Sequence, residues 1–539
     1  MTGLARFWRT ARHLKARQVL GRLWFRLHRP APDLRPAPAL RAAFGTWALP
    51  AMRAQSFTAP ASFRFLNESH RLPDIGWDNP EVEKLWRYNQ HYFDDLNAVG
   101  AAQRDANHRD LMAKWMAQNG VGAGTAWEPY PTSLRIVNWI KWSVAGANPG
   151  PAWLDNLAVQ VRWLRGRLEW HLLGNHLFAN AKALIHAGLF FDGDEADGWL
   201  SRGLSILERE LPEQVLADGG QFERSPMYQA LALEDVLDLL NIITVRAHAA
   251  SPARRIEAEL RAHASRMLHW LRTMSHPDGT VGLFNDAADG VAPPNVELER
   301  LAAAMRVDAP SPARQGMTRL DASGYLRFAS DNAVALLDVA PIGPDYLPGH
   351  AHADTLCFEL SLRARRILVN RGTSRYGLSA RRLMERGTAA HNTVQVAGED
   401  SSEVWAGFRV GRRARPRGLR VGEAEVACSH DGYRHLRNAP EHQRLWRFGA
   451  HCLSVEDTAS HPTHAVARYH LAPGLQLQPG AESTWQVSAA GELLAQVKVE
   501  VGAPRATDWL HATAFGVLEP AQTLEVVLDQ GRALTHWTW

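Results

Sequence analysis

Apolar positions along the chain keep two different periods. From about residue 80 to 310 they recur at spacings of three and four, the pattern of helices with one buried face. The windows are Val82-Leu85-Trp86, Leu111-Trp115-Met116, Leu134-Val137-Trp139-Ile140, Trp153-Leu157-Val161-Leu164, Leu177-Ala181-Leu184-Ile185, Leu204-Leu207, Leu231-Val236-Leu239-Ile242 and Ile256-Leu260-Met267-Leu271. Gly/Pro/Asp clusters such as Asn148–Pro151 and Asp192–Glu195 break the pattern and mark the turns. Near residue 318 the period changes to two, which predicts strands. Segments 324–329, 333–338, 392–396 and 452–455 read this way, as do Leu356-Phe358-Leu360-Leu362, Trp485-Val487 and Leu524-Val527.

Successive helices with short connections predict stacked helical hairpins in a toroid or solenoid, and a long run of strands predicts a β-sandwich. The expected fold class is α+β and multidomain. Three segments follow: a basic N-terminal helix with a Pro/Ala-rich linker over 1–75, a helical domain over 76–315 and a β domain over 316–539. A chain of 539 residues is too long for one ordinary core.

Composition narrows the function classes. At 46% hydrophobic and 22% charged residues the chain is ordinary for a globular protein. A net charge of +4 and a pI near 9.0 give no argument for a nucleic-acid partner, but local positive charge would suit a polyanion. Twenty Trp suit helical cores first and sugar stacking second. Three Cys, at 357, 428 and 452, form neither a disulfide framework nor a zinc-finger spacing. Residues 1–30 carry eight Arg or Lys and no acid, interleaved with Leu4, Phe7, Trp8, Leu20, Leu23, Trp24 and Phe25. No cleavable signal or membrane-spanning run is visible. The segment reads as one or two basic amphipathic helices, packed on the protein or touching an anionic membrane. The sequence by itself favours a cytoplasmic or inner-membrane-associated location and leaves the oligomeric state open.

Four stretches carry candidate chemistry. Gly349-His350-Ala351-His352-Ala353-Asp354 precedes a strand, and residues two apart on a strand share a face, so His350 and His352 are expected to project together. Asn175, His176 and Asn180 interrupt an apolar helix start, where Asn175 is either functional or an N-cap. Asp218 to Gln229 places Glu223, Arg224 and Tyr228 ahead of a long helix. Arg224 suits a carboxylate or sulfate. The fourth stretch, His391-Asn392-Thr393, joins Asn370 and His352 as a set able to converge on a divalent metal, zinc or calcium. A carboxylate would serve better than the Asn370 amide.

Together, Asn175-His176, Tyr228, Gly349–Asp354, Gly372-Thr373 and Ala390–Thr393 resemble the heparinase II/III family of polysaccharide lyases, nearest its heparinase III-like subgroup. The resemblance runs from about residue 80 to 410, and more loosely to the C-terminus. It implies an incomplete (α/α) toroid followed by an antiparallel β-sandwich, and β-elimination on a uronic acid unit of an acidic polysaccharide. Asn175 then neutralises the uronate carboxylate, and Tyr228 and His350 share the roles of base and acid. His176, Arg224, Glu223 and His391 line the substrate site. The family places an Asp where this chain has Asn370, which is expected to weaken metal binding. Export to the periplasm or cell envelope is the family's habit. Two other readings are a weakly active or non-catalytic glycan-binding protein associated with exopolysaccharide synthesis, and a hydrolase built on Glu223 and Asp218.

Overall fold

A computed structural model describes residues 2–461 and 464–539. Six of the eight helical windows fall wholly within a helix; the first and last begin just ahead of theirs, Val82 before Lys84–Tyr92 and Ile256 before Glu257–Thr273. Neighbours pack as hairpins: Gly174–Phe190 and Asp194–Gln214 are joined by three residues and form the most intimate pair, while Pro129–Val144 and Pro226–Arg246 also lie against Gly174–Phe190. Trp86, Trp115, Trp139, Trp199 and Trp270 are fully buried, so tryptophan here fills the gaps between helices. Inside this core Lys141 and Lys182 both donate to Asp238 Oδ2, a buried cluster in which opposite charges pair.

Antiparallel sheets follow. Strands Gly316–Leu320, Tyr325–Ala329, Ala333–Asp338, Phe358–Leu362 and Arg365–Leu368 form a five-stranded meander. An eight-stranded sheet and a four-stranded sheet that includes Val394–Val396 complete the sandwich, around an apolar core that includes Phe358, Trp446 and Trp537. The architecture is a helical toroid followed by a β-sandwich. The first 30 residues hold two helices, Thr2–Ala11 and Ala16–Leu27; Met1 lies outside the described residues.

Polar contacts clasp the domains at several places, among them His276 with Glu359, Arg366 with Asp278 and a group around Arg224. Arg224 donates to the carbonyls of Ser323 and Pro341, Tyr325 Oη donates to the Arg224 carbonyl, and Asp218 accepts from the backbone and hydroxyl of Ser323. Between Ala333–Asp338 and Phe358–Leu362 the chain leaves the five-stranded sheet, and this excursion carries His350 against the helical domain.

Candidate active site

Two helix starts form one wall. The helix Gly174–Phe190 has Leu173 as its N-cap residue, and no side chain caps it. Asn175 is therefore not a cap. Leu173 and Gly174 both take positive φ, 63° and 55°. For leucine that is a strained conformation. It sets Asn175 in the first helical turn, lining a pocket with Tyr130, Gln221, Tyr228 and Asp235. His176 Nδ1 sits 3.0 Å from Glu169 Oε1 and its ring packs on Tyr130. Burial disfavours the imidazolium, but Glu169, with Glu223 and Glu128 behind it, prevails and raises the His176 pKa. Asn180, one turn on, holds Glu169 in place by donating to its Oε2.

The second start is Pro226–Arg246, capped by Ser225, whose side chain accepts from the Tyr228 N–H at 3.3 Å. Tyr228 is in its first turn. Its ring stacks on His350 with centroids 3.9 Å apart, and its hydroxyl lies 3.1 Å from that of Tyr376. Burial, then the Tyr376 hydroxyl, hold the phenol well above its usual pKa, which favours its protonated form.

His350 and His352 do not lie on the strand, which begins only at Phe358. They straddle one carboxylate instead. His350 Nδ1 is 2.9 Å from Asp286 Oδ2, and His352 Nε2 is 2.8 Å from Asp286 Oδ1. Arg382 grips both oxygens of the same Asp286, with its Nη2 at 2.6 Å from Oδ2. Burial opposes the charge on Asp286, but Arg382 and the two histidines outweigh it and drive its pKa well below the carboxylate range. An ionised Asp286 keeps the proton of His350 on Nδ1. His350 Nε2 faces Glu223, whose Oε2 is 3.8 Å away. Burial raises the Glu223 pKa, partly offset by His350 and Gln221.

Behind this pair lies a closed cluster. His391 Nδ1 faces Asn370 Oδ1 at 3.1 Å, which leaves Nε2 buried with no hydrogen-bond partner; His352 Nδ1 is likewise unpartnered. Asp354, Cys357 and His391 present ligand atoms within 4.8 Å of one another, all buried. The expected set of His352, Asn370 and His391 is thus corrected. Asn370 orients His391 through its amide oxygen, His352 uses Nε2 on Asp286, and Cys357 and Asp354 are the two groups placed to join His391 around a metal. A thiol, an imidazole and a carboxylate fit zinc rather than calcium, which takes oxygen ligands. The orphaned Nε2 of His391 fits a metal-ligand role.

Other expectations shift too. The Arg224 guanidinium is engaged by backbone carbonyls of the β domain and does not face the cleft. His391 is buried at 1% exposure, beyond the reach of a substrate. Asp218 accepts from Ser323 and Gly220, which removes it as a partner for Glu223 in hydrolysis. Asn175, His176, Glu223, Tyr228 and His350 do come together. The sequence reading missed Asp286, Arg382, Tyr376 and Glu169. Asp286 in Phe284-Asn285-Asp286 stands just past the last apolar window, the one local signal available for any of the four.

Family models match nearly the whole chain: one described as heparinase II/III N-terminus over residues 3–298 and one described as heparinase II/III-like, C-terminal over residues 312–534. A heparin-sulfate lyase of Bacteroides stercoris is 28% identical over 298 residues, which is 50% of this chain and 43% of that protein. A heparin-sulfate lyase of Pedobacter heparinus is 25% identical over 319 residues, 52% of this chain and 46% of that protein. The matches thus span less than half the length of these curated relatives. The crystal structure of a heparinase III superposes with a TM-score of 0.65 at 16% identity, covering 86% of this chain and 76% of that one; it is similar in fold.

Proposed function

The chain belongs to the heparinase II/III family, and we propose that it is a polysaccharide lyase that cleaves a uronic-acid-containing acidic polysaccharide by β-elimination. The observation that carries this is the Tyr228–His350 stack, held over Asp286 beside the helix start that presents Asn175. In the reaction the substrate carboxylate lies at Asn175 and at the open N-terminus of Gly174–Phe190, where amide donors and the helix dipole favour a negative charge. That neutralisation acidifies the C5 proton. His350 Nε2 takes this proton, the electron pair forms the C4–C5 double bond, and the C4–O4 bond breaks. Tyr228 delivers its phenolic proton to O4. The products are a 4,5-unsaturated uronate end and a free hydroxyl, and solvent then reprotonates Tyr228 and relieves His350. Asp286 fixes the tautomer, and the buried Arg382 keeps Asp286 ionised. Because the curated relatives are heparin-sulfate lyases, heparin-type glycosaminoglycans head the substrate panel.

Asp354, Cys357 and His391 would hold a zinc ion in this reading. Bound there, it would tie the His350 loop to the segment before Val394–Val396. Stoichiometric zinc by elemental analysis, and a melting temperature that falls with a chelator in wild type but not in Cys357→Ser, are expected. An unmoved melting temperature and no metal would refute it. For the elimination itself, wild type should generate the ultraviolet absorbance of an unsaturated uronate from a heparin-type polymer, and Tyr228→Phe should generate almost none.

A further inference from the structure

The two N-terminal helices are docked inside out. Thr2–Ala11 turns its polar side to the protein: Arg6 and Arg9 both pair with Glu403, and Thr10 Oγ1 accepts from Trp405 Nε1. Its apolar stripe, Leu4, Phe7 and Trp8, faces solvent at 84%, 56% and 62% exposure. Ala16–Leu27 does the same. Gln18 donates to the Tyr346 carbonyl, Arg17 lies over Trp170, a Cβ at Gly21 would stand 3.0 Å from the backbone of Trp170 and His171, and Phe25 packs on His171. The opposite stripe, Leu20, Leu23, Trp24 and Leu27, is 53–84% exposed. Of the twenty-two large hydrophobic side chains exposed among the described residues, eight lie in these two helices. Scattered exposed apolar residues need no account; a continuous stripe on each of two adjacent helices does.

Charge identifies what covers it. No acid precedes Asp33. Arg12, Arg22 and Arg26 flank the stripes, and none of them has a carboxylate partner among the described residues. A second copy docked here would set these cations against their own kind. Tryptophan beside unpaired arginine is the composition of a helix lying in a lipid headgroup region. No helix among the described residues is long and apolar enough to cross a membrane, so the contact is with the surface. We infer that the helices Thr2–Ala11 and Ala16–Leu27 form a platform that seats the protein on an anionic lipid bilayer.

The inference does not depend on the lyase reading, because vesicle binding needs no turnover. The full chain is mixed with vesicles of phosphatidylcholine alone, or with phosphatidylglycerol added, and pelleted at low and high salt. Wild type should pellet with the anionic vesicles, weakly with the neutral ones, and less at high salt. Leu23→Ser/Trp24→Ser should raise the lipid concentration for half-binding at least about tenfold, from the lost apolar burial. Arg22→Glu/Arg26→Glu should do so at least about tenfold on anionic vesicles, each cation near such a surface contributing about fivefold. All these side chains are exposed, so the melting temperature should not move. Wild type left in the supernatant at every composition would overturn the proposal. Variants that pellet like wild type would overturn it as well, as would a wild-type dimer in sedimentation velocity that these substitutions dissolve.

Discussion

Asp286 joins His350, His352 and Arg382 at one point, and no spacing rule reveals it. It lies 64 residues before His350 and 96 before Arg382, and a carboxylate after a helical domain looks like any turn residue. The histidine pair was legible because two imidazoles within three residues are rare and precede an alternating run. Their shared face was predicted from strand geometry, and the structure produces the convergence by a loop around a carboxylate instead. Asp286→Asn should leave Arg382 as an unpaired buried cation and destabilise the protein by about 3–5 kcal/mol, read by denaturant unfolding. Tyr228→Phe keeps the ring that stacks on His350 and removes only the proton. Its elimination rate should fall by about 10²–10⁴ with the unfolding midpoint nearly unchanged. A variant retaining most of its rate would make Tyr228 structural.

Periodicity found the elements because both domains are held by one buried face per element, and that face is a local signal. It misplaced the strand starts at 356 and 392, observed at Phe358 and Val394. Leu356 is as apolar as a strand residue and Thr393 is β-prone, but Asp354 to Cys357 turn to build the donor cluster, and Asn392 instead donates to the Phe358 carbonyl. Local pattern loses there to side-chain hydrogen bonding. The helix start at Gly174 carries its own test. A Cβ there would stand 2.4 Å from Leu347 Cδ2, and φ is +55°. Gly174→Ala should cost about 1 kcal/mol of stability from the backbone term. It should raise KM more than it lowers kcat, because it shifts the Asn175 turn that receives the carboxylate.

Across the whole molecule, two domains meet with their polar residues at one seam, and burial makes those residues sensitive to protonation. In the β-sandwich Asp457 lies between Arg444 and His442. Burial disfavours its charge, yet Arg444 and His442 hold its pKa at about 2. A depressed carboxylate stabilises the fold above its unfolded pKa, and that contribution is lost as pH falls through the folded value. Stability should therefore drop between about pH 4 and pH 2 by roughly 2–3 kcal/mol from this group, and Asp457→Asn should flatten that part of the profile. The central claim is elimination in the cleft between the domains. It is tested most directly by incubating wild type and His350→Gln with heparin-type and other uronate polymers while following both ultraviolet absorbance and new reducing ends. The account predicts that absorbance and reducing ends rise together in wild type and that both nearly vanish in the variant. Reducing ends without absorbance, or wild-type inertness toward every uronate polymer, would contradict it.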